Sequence, residues 1–166
     1  MPRRLGRWAA GAAALALAVA WAAINLAPDD PAAWHVDPAG IALRGTPNEF
    51  LAATPGTTAA QPHLAIPARP GAPGEVLGCL DRVARAQPRV TVLAGDVDSL
   101  SVTYVQRSRI VGFPDYITVA AVPLATGLPE GGTGLVVYSR SRYGHGDFGV
   151  NERRVTAWFK DLQSAC

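Results

Sequence analysis

Four strand-like segments in close succession constrain the fold of this chain more than any other feature of its sequence. Each segment is rich in β-branched and aromatic residues, and short runs containing glycine, proline or aspartate separate one from the next. Because these connections are short, consecutive segments pair most simply as antiparallel neighbours. The sequence therefore predicts a four-stranded antiparallel meander, with strands at 89–95, 100–111, 116–125 and 134–143.

Helical patterns flank these strands on both sides. Before them, apolar residues recur at helical spacing from Val76 to Ala84, and Pro88 ends the pattern. After them, Asn151 is expected to cap a second helix, whose apolar residues form a single stripe: Val155, Trp158, Phe159 and Leu162. The sequence thus predicts a two-layer α+β fold with both helices on one face of the sheet. The other face is expected to be open to water or to a partner.

An apolar run precedes this domain. Within residues 1–27, three arginines come before a run of twenty residues, Trp8 to Ala27, of which only Asn25 is strongly polar. A run of this length can span a bilayer, so we expect a transmembrane helix with a cytoplasmic N-terminus, as the positive-inside rule indicates. A cleaved signal peptide is the alternative, but its apolar region is usually only about 7–15 residues long.

The next segment, residues 28–73, is rich in proline and glycine and keeps neither a helical nor an alternating period. We expect it to be an extended tether to a globular domain at 74–166. Trp34 lies within this segment, and its ring is expected to dock on the domain; a position among lipid headgroups is the alternative. A chain of 166 residues has room for one such domain with its own core.

The charge of the chain excludes some classes of function. The formal net charge is +2, but the part that follows the three N-terminal arginines holds 12 basic and 13 acidic residues. A nucleic-acid-binding domain is usually strongly basic, so nucleic acid is not an expected partner. The sequence has no phosphate-binding glycine loop and no dinucleotide fingerprint, and His35, His63 and His145 show no metal-ligand spacing. We therefore expect no cofactor and no metal.

Two pairs of arginines end two of the predicted strands. Arg107 and Arg109 close the second strand, and Arg140 and Arg142 close the fourth. Alternate strands of a meander run in the same direction, so both pairs are expected at one edge of the sheet, roughly 10 Å apart. Guanidinium groups bind carboxylates and phosphates through two parallel hydrogen bonds. The sequence therefore predicts an anion-binding site made by these four arginines, with His145 in the loop beside them.

Two aspartates allow a different interpretation of the same edge. Asp115 and Asp147 follow the arginine pairs closely in sequence and could neutralise them in purely structural ion pairs. His145 and Asp147 are also the residues that a hydrolase or transferase would use here. The chain has no G-x-S-x-G nucleophile motif, so we assign no catalytic residue.

Two cysteines, Cys79 and Cys166, lie far apart in the sequence. If each helix runs antiparallel to its adjoining strand, the start of the first helix and the end of the second meet at the edge opposite the arginines. The cysteines could then form a disulfide, provided that their Cα atoms come within about 7 Å. Two free thiols are the alternative.

The segments "TYVQRSRIVGFPDYITV" and "LVVYSRSRYGHGDFGVNERRV" resemble a bacterial family, the domain of unknown function 1499 (DUF1499). The shorter segments "DPAAWHVDP" and "GTPNEFL" add to the resemblance, which covers most of the chain after the apolar run. Many relatives are similar in having a short N-terminal hydrophobic segment. The family has no established activity, so the resemblance implies a shared fold and no mechanism.

Together these features predict a non-enzymatic domain that binds an anionic ligand or an envelope partner through the arginine pairs. We expect it to be held in a bacterial inner membrane by one span, with the globular domain in the periplasm or otherwise outside the cytoplasm. One alternative function is an envelope hydrolase or transferase that uses His145 and Asp147. Another is a purely structural module whose helix-free sheet face packs on a second protein.

Overall fold

A computed structural model describes residues 2–124 and 132–166 of the chain. This part of the chain contains four helices: α1 (Pro2–Leu26), α2 (Pro31–Trp34), α3 (Pro73–Ala86) and α4 (Val150–Ala165). It also contains seven strands: β1 (Glu49–Ala53), β2 (Leu64–Ala65), β3 (Arg69–Pro70), β4 (Val90–Asp96), β5 (Ser101–Arg107), β6 (Pro114–Leu124) and β7 (Gly132–Ser141). Residue 125, the last of the third predicted strand, lies outside the described residues.

The fold is a mixed α+β fold with one sheet of seven strands, whereas the sequence predicted four. The strand order is β2-β1-β7-β6-β5-β4, and β3 pairs with the start of β7. The predicted antiparallel meander is present as β4 to β7, while β1 lies beside β7 and pairs in parallel with β2. All three additional strands come from segment 28–73, which was expected to be an extended tether.

Strand β1 was missed because it has none of the alternation that marks a half-exposed strand. All five residues of "EFLAA" are buried, since both faces of the sheet are covered at this point. Strands β2 and β3 have only two residues each, which is too short for any periodic pattern.

The main core lies between α3, α4 and one face of the sheet. Helix α3 contributes Leu77 and Leu80, and α4 contributes Trp158, whose ring meets Tyr104 of β5 edge to face at a centroid distance of 5.7 Å. Both helices cover the same face, as the sequence predicted. Their apolar stripes face the sheet because residues three and four apart share one side of a helix.

The other face of the sheet is not open, contrary to the expectation from sequence. Leu51, Val136 and Tyr138 form a second small core on this face, and apolar side chains of segment 28–73 pack over it: Val36, Ile41, Leu43 and Ala60. These residues are too widely spaced among prolines and glycines to show a period. The segment therefore wraps around the sheet, which leaves the edges as the accessible parts of this layer.

Helix α1 precedes the domain in the position of the expected transmembrane anchor. Among the described residues, no helix combines the length and apolarity that a membrane crossing requires, so the structure gives the predicted anchor no support. The end of α1 contacts the domain through Asn25, whose Nδ2 donates a hydrogen bond to the carbonyl oxygen of Val111 at 2.9 Å.

Cys79 of α3 and Cys166, the residue that follows α4, are joined in a disulfide with their Cα atoms 6.4 Å apart. The bond links two residues 87 positions apart and ties the two helices together. Cys79 lies in the middle of α3, and Cys166 follows the last residue of α4.

Candidate functional site

The ends of β5 and β7 place three arginines together at one edge of the sheet. Both strands are antiparallel to β6, so they run in the same direction and end on the same side. Arg107 is the last residue of β5, Arg140 is the last but one of β7, and Arg142 directly follows β7. Tyr116 of β6 stands between them, because it pairs directly with Arg140. We call these four residues the arginine site, which lies on the face of the sheet away from α3 and α4.

A carboxylate of the chain itself occupies this site. Asp29 Oδ2 accepts a hydrogen bond from Arg107 Nη2 at 2.6 Å, and Asp29 Oδ1 accepts one from the Tyr116 hydroxyl at 2.5 Å. Arg142 Nη1 lies 3.7 Å from the same carboxylate and donates to the carbonyl oxygen of Pro28 at 3.0 Å. Three side chains thus converge on one carboxyl group, which is what an anion-binding site requires.

Trp34 occupies the rest of the site. Its ring stacks on Tyr116 with centroids 3.9 Å apart and planes inclined by 9°, and the Arg140 guanidinium carbon lies 4.9 Å from the Trp34 ring centroid. Arg140 also donates a hydrogen bond to the Trp34 carbonyl oxygen at 3.2 Å. The ring therefore contacts both an aromatic face and a cation, and both attract it. The sequence expectation that Trp34 would contact the domain agrees with this position.

The residues from Pro28 to Trp34, here called the 28–34 segment, are shaped by their own sequence. Asp30 caps the single turn of α2, because its Oδ1 accepts a hydrogen bond from the Ala32 N–H at 2.9 Å. This turn sets the separation between the Asp29 carboxylate and the Trp34 ring. His35 follows, and its Nδ1 lies 2.8 Å from the buried Thr103 hydroxyl.

Tyr116 acts as a neutral donor in this arrangement. Burial, and then the hydrogen bond to Asp29, raise the pKa of Tyr116 to about 12. The Arg142 guanidinium has the opposite effect on this pKa but is outweighed. The phenol therefore keeps its proton, and hence its hydrogen bond to the carboxylate, across the physiological pH range.

Two residues predicted for the site are not brought into it. Arg109 lies beyond the end of β5, and its side chain is exposed with no ion pair among the described residues. His145 is exposed in the loop between β7 and α4 and makes no side-chain hydrogen bond within the described part of the chain. Sequence reasoning missed Asp29 and Tyr116, and it gave Trp34 no role in the site.

The two aspartates of the alternative interpretation have other partners. Asp115 Oδ2 accepts a hydrogen bond from Arg154 Nη2 of α4 at 2.5 Å. Asp147 lies two residues before Gly149, the N-cap of α4, and its carboxylate accepts hydrogen bonds from the N–H groups of Gly149 at 2.9 Å and Asn151 at 2.7 Å. Both aspartates are structural, but they stabilise the start of α4 and do not neutralise the strand arginines.

The sequence predicted that Asn151 caps α4, and this prediction is wrong. Asn151 is the second residue of the helix and lies buried inside a polar cluster. Its Nδ2 donates to the carbonyl oxygen of Asn48 at 3.1 Å, and its Oδ1 accepts from Ser139 Oγ at 2.6 Å and Arg154 Nη1 at 2.6 Å. The α4 cluster, as we call it, comprises Asp115, Ser139, Asp147, Asn151 and Arg154. Because Asp115 and Tyr116 are successive residues of β6, the α4 cluster and the arginine site lie on opposite faces of the same edge.

The loops at this edge enclose a cleft of about 270 Å³ beside the α4 cluster, lined by Phe113, Tyr143, Asp147 and Phe148 among others. Among the described residues His145 makes no hydrogen bond to Asp147, whose carboxylate instead accepts three hydrogen bonds from Gly149 and Asn151. No group of three histidine, cysteine, aspartate or glutamate residues that could hold a metal ion occurs in the described ranges. The geometry gives no support to the hydrolase or transferase alternative.

An α+β domain with an arginine-lined sheet edge is the class of protein that these observations define. Residues 42–162 match the family described as "Protein of unknown function (DUF1499)", and the chain belongs to that family. Neither the curated proteins nor the solved structures include a significant match to this chain. The family match includes all four residues of the arginine site, whereas the 28–34 segment lies before it.

Proposed function

We propose that this protein is a non-enzymatic binding module that holds a carboxylate-bearing ligand at the arginine site. The observation that supports the proposal most directly is the convergence of Arg107, Tyr116 and Arg142 on the single carboxylate of Asp29. Their donors come from β5, from β6 and from the residue that follows β7, so the sheet holds them in place before a ligand binds.

The Asp29 carboxylate is held less firmly than the arginines that bind it. Asp29 belongs to a segment outside the part of the chain that matches the family, while the arginines belong to the sheet within it. The side chains of Arg107 and Asp29 remain 29% and 22% exposed, so water can compete for this ion pair. Pairs that retain contact with water contribute only about 0–1 kcal/mol to stability. Replacing one carboxylate by another therefore has a small energetic cost.

We propose a location outside the cytoplasm, and an envelope protein or other anionic molecule of that compartment as the ligand. The disulfide between Cys79 and Cys166 supports this location, since such bonds persist mainly in oxidising compartments. Alkylation of the protein as isolated from cells, followed by mass mapping, tests the location. Two alkylated thiols in the freshly isolated protein would contradict it.

The binding proposal is tested by removing the intramolecular carboxylate. We expect the Asp29→Ala variant of the full chain to bind glutarate saturably, as read from the side-chain N–H resonances of Arg107 and Arg142 by NMR. The wild-type chain should bind it at least about tenfold more weakly, because Asp29 competes for the same donors. Asp98→Asn removes one negative charge from the exposed β4–β5 turn and should behave as wild type.

A further substitution shows whether the response belongs to the arginine site. Adding Arg142→Gln to the Asp29→Ala chain should abolish glutarate binding while the circular dichroism spectrum is unchanged. A folded Asp29→Ala chain that binds no glutarate, or binds it equally well with Arg142→Gln, would show that the proposed function is wrong.

A further inference from the structure

We propose that the arginine site is a peptide-binding site, and that the 28–34 segment is an intramolecular occupant which the ligand displaces. The ligand would be a protein segment in which an acidic residue precedes an aromatic residue by five positions, as Asp29 precedes Trp34. This inference rests on the proposed function, and it names the class of ligand for the same site.

The aromatic half of the site distinguishes a peptide from a small anion. Tyr116 donates its hydroxyl to the Asp29 carboxylate and at the same time offers its ring face to Trp34. The guanidinium carbon of Arg140 lies 4.9 Å from the Trp34 ring centroid and 5.0 Å from that of Tyr138, so this cation contacts two aromatic rings. A phosphate ion or a free dicarboxylate would fill the carboxylate position and leave this aromatic slot empty.

The main chain of the occupant is recognised as well. Arg142 donates to the Pro28 carbonyl oxygen at 3.0 Å, and Arg140 donates to the Trp34 carbonyl oxygen at 3.2 Å. These two carbonyl groups stand at the two ends of the 28–34 segment. Such backbone contacts bind any peptide of the right shape, whereas the carboxylate and aromatic positions select its sequence.

The occupant has the properties of a displaceable segment. It forms no strand of the sheet, and none of the four residues of α2 is buried. His35 holds the chain immediately after it through Thr103, so displacement can be confined to residues 28–34. A ligand in trans must overcome the effective concentration of a tethered segment, which is typically on the order of millimolar. The native chain is therefore inhibited by its own segment and binds only a ligand that is present at high concentration or makes additional contacts.

The experiment uses a fluorescein-labelled peptide with the sequence of residues 27–36, APDDPAAWHV, and the full chain carrying Asp29→Ala and Trp34→Ala. We expect the peptide to bind this double variant, as measured by fluorescence anisotropy. Peptides in which Asn replaces the residue equivalent to Asp29, or Ala the residue equivalent to Trp34, should bind at least about tenfold more weakly. Equal binding of all three peptides, or none at all, would overturn the inference.

The glutarate titration of the Asp29→Ala chain separates this inference from the proposed function. Glutarate binding without peptide binding overturns the peptide inference alone, and failure of both overturns both. If circular dichroism shows that the double variant is unfolded, hydrogen exchange of the wild-type chain replaces it. Saturating peptide should then accelerate exchange of the amides in residues 28–35, and unchanged exchange would contradict displacement.

The same chemistry could come from a second copy of this chain or from another protein. If the peptide binds, analytical ultracentrifugation of the wild-type protein tests whether the ligand segment comes from a second copy of the chain. A concentration-dependent dimer that Trp34→Ala abolishes assigns the segment to a second copy, and a monomer at all concentrations rules out a second copy.

Discussion

The α4 cluster and the arginine site lie back to back at one edge of the sheet, and each is built around a short arginine–aspartate pair. In the α4 cluster, Arg154 meets Asp115 at 2.5 Å; in the arginine site, Arg107 meets Asp29 at 2.6 Å. One residue of each pair lies on a strand of the sheet, Arg107 on β5 and Asp115 on the adjacent β6. The environments of the two pairs can therefore be compared directly.

Burial separates the two pairs. The side chains of Arg154 and Asp115 are 7% and 12% exposed, whereas those of Arg107 and Asp29 are 29% and 22% exposed. In the α4 cluster every partner comes from the folded domain, and in the arginine site the carboxylate comes from the N-terminal segment. The comparison teaches that the same kind of ion pair is more enclosed where both partners belong to the folded domain, and more solvated where one partner belongs to the N-terminal segment; the proposed function requires the solvated pair to be exchangeable.

The largest effect that tests this comparison comes from Arg154→Ala. We expect the free energy of unfolding to fall by about 3–5 kcal/mol, because the substitution leaves the Asp115 carboxylate buried without its counter-charge. It also removes a donor from Ser139 and from Asn151. Urea unfolding followed by circular dichroism measures the loss.

The neighbouring residue provides a matched control for this variant. Arg153 lies on the same turn of α4, but its guanidinium is directed at the Phe148 carbonyl oxygen at 2.8 Å in an exposed contact. Arg153→Ala should change the free energy of unfolding by no more than about 1 kcal/mol. If Arg154→Ala and Arg153→Ala lower the free energy of unfolding by similar amounts, the ion pair of the α4 cluster does not have the structural role assigned to it.

The second prediction concerns the titration of Tyr116 in the arginine site. Its pKa is raised from 10.0 to about 12 in the folded chain, so its contribution to stability is fully present below pH 10. That contribution is lost as the pH rises through the folded value, and the 28–34 segment should be released over this range. The difference in phenolate absorbance between wild type and Tyr116→Phe isolates this one phenol.

Two substitutions should move this pKa in opposite directions. Asp29→Asn removes the carboxylate that stabilises the protonated phenol, so the pKa of Tyr116 should fall. Arg142→Gln removes a charge that favours the phenolate, so the pKa should rise. An unchanged pKa in Asp29→Asn would show that the carboxylate does not occupy the site in solution.

The sequence was sufficient for the central part of the fold. Alternation and turn residues located the meander, and the direction of alternate strands placed Arg107 and the Arg140–Arg142 pair at one edge. Strands β1 to β3 could not be found in this way, since a strand buried on both faces or only two residues long has no period to detect.

The site was harder to predict because its key contacts are remote in sequence. Asp29 is 78 residues from Arg107, and nothing in the local pattern of the N-terminal segment indicates this contact. The assignment of Asp115 to the strand arginines relied on nearness in sequence. Strand geometry opposes it, since successive residues of β6 point to opposite faces and Tyr116 shares the face of Arg107.

The smallest effects are expected for the two predicted site residues that the structure leaves outside. Arg109→Ala and His145→Ala should each change the free energy of unfolding by less than about 0.5 kcal/mol, because both side chains are exposed and make no hydrogen bond among the described residues. Introduced into the Asp29→Ala chain, neither should alter glutarate binding, whereas Arg142→Gln abolishes it. NMR titration of the three chains makes the comparison under identical conditions. A loss of about tenfold or more with Arg109→Ala or His145→Ala would mean that the exposed loops also contact the ligand, and the site would then extend beyond the sheet.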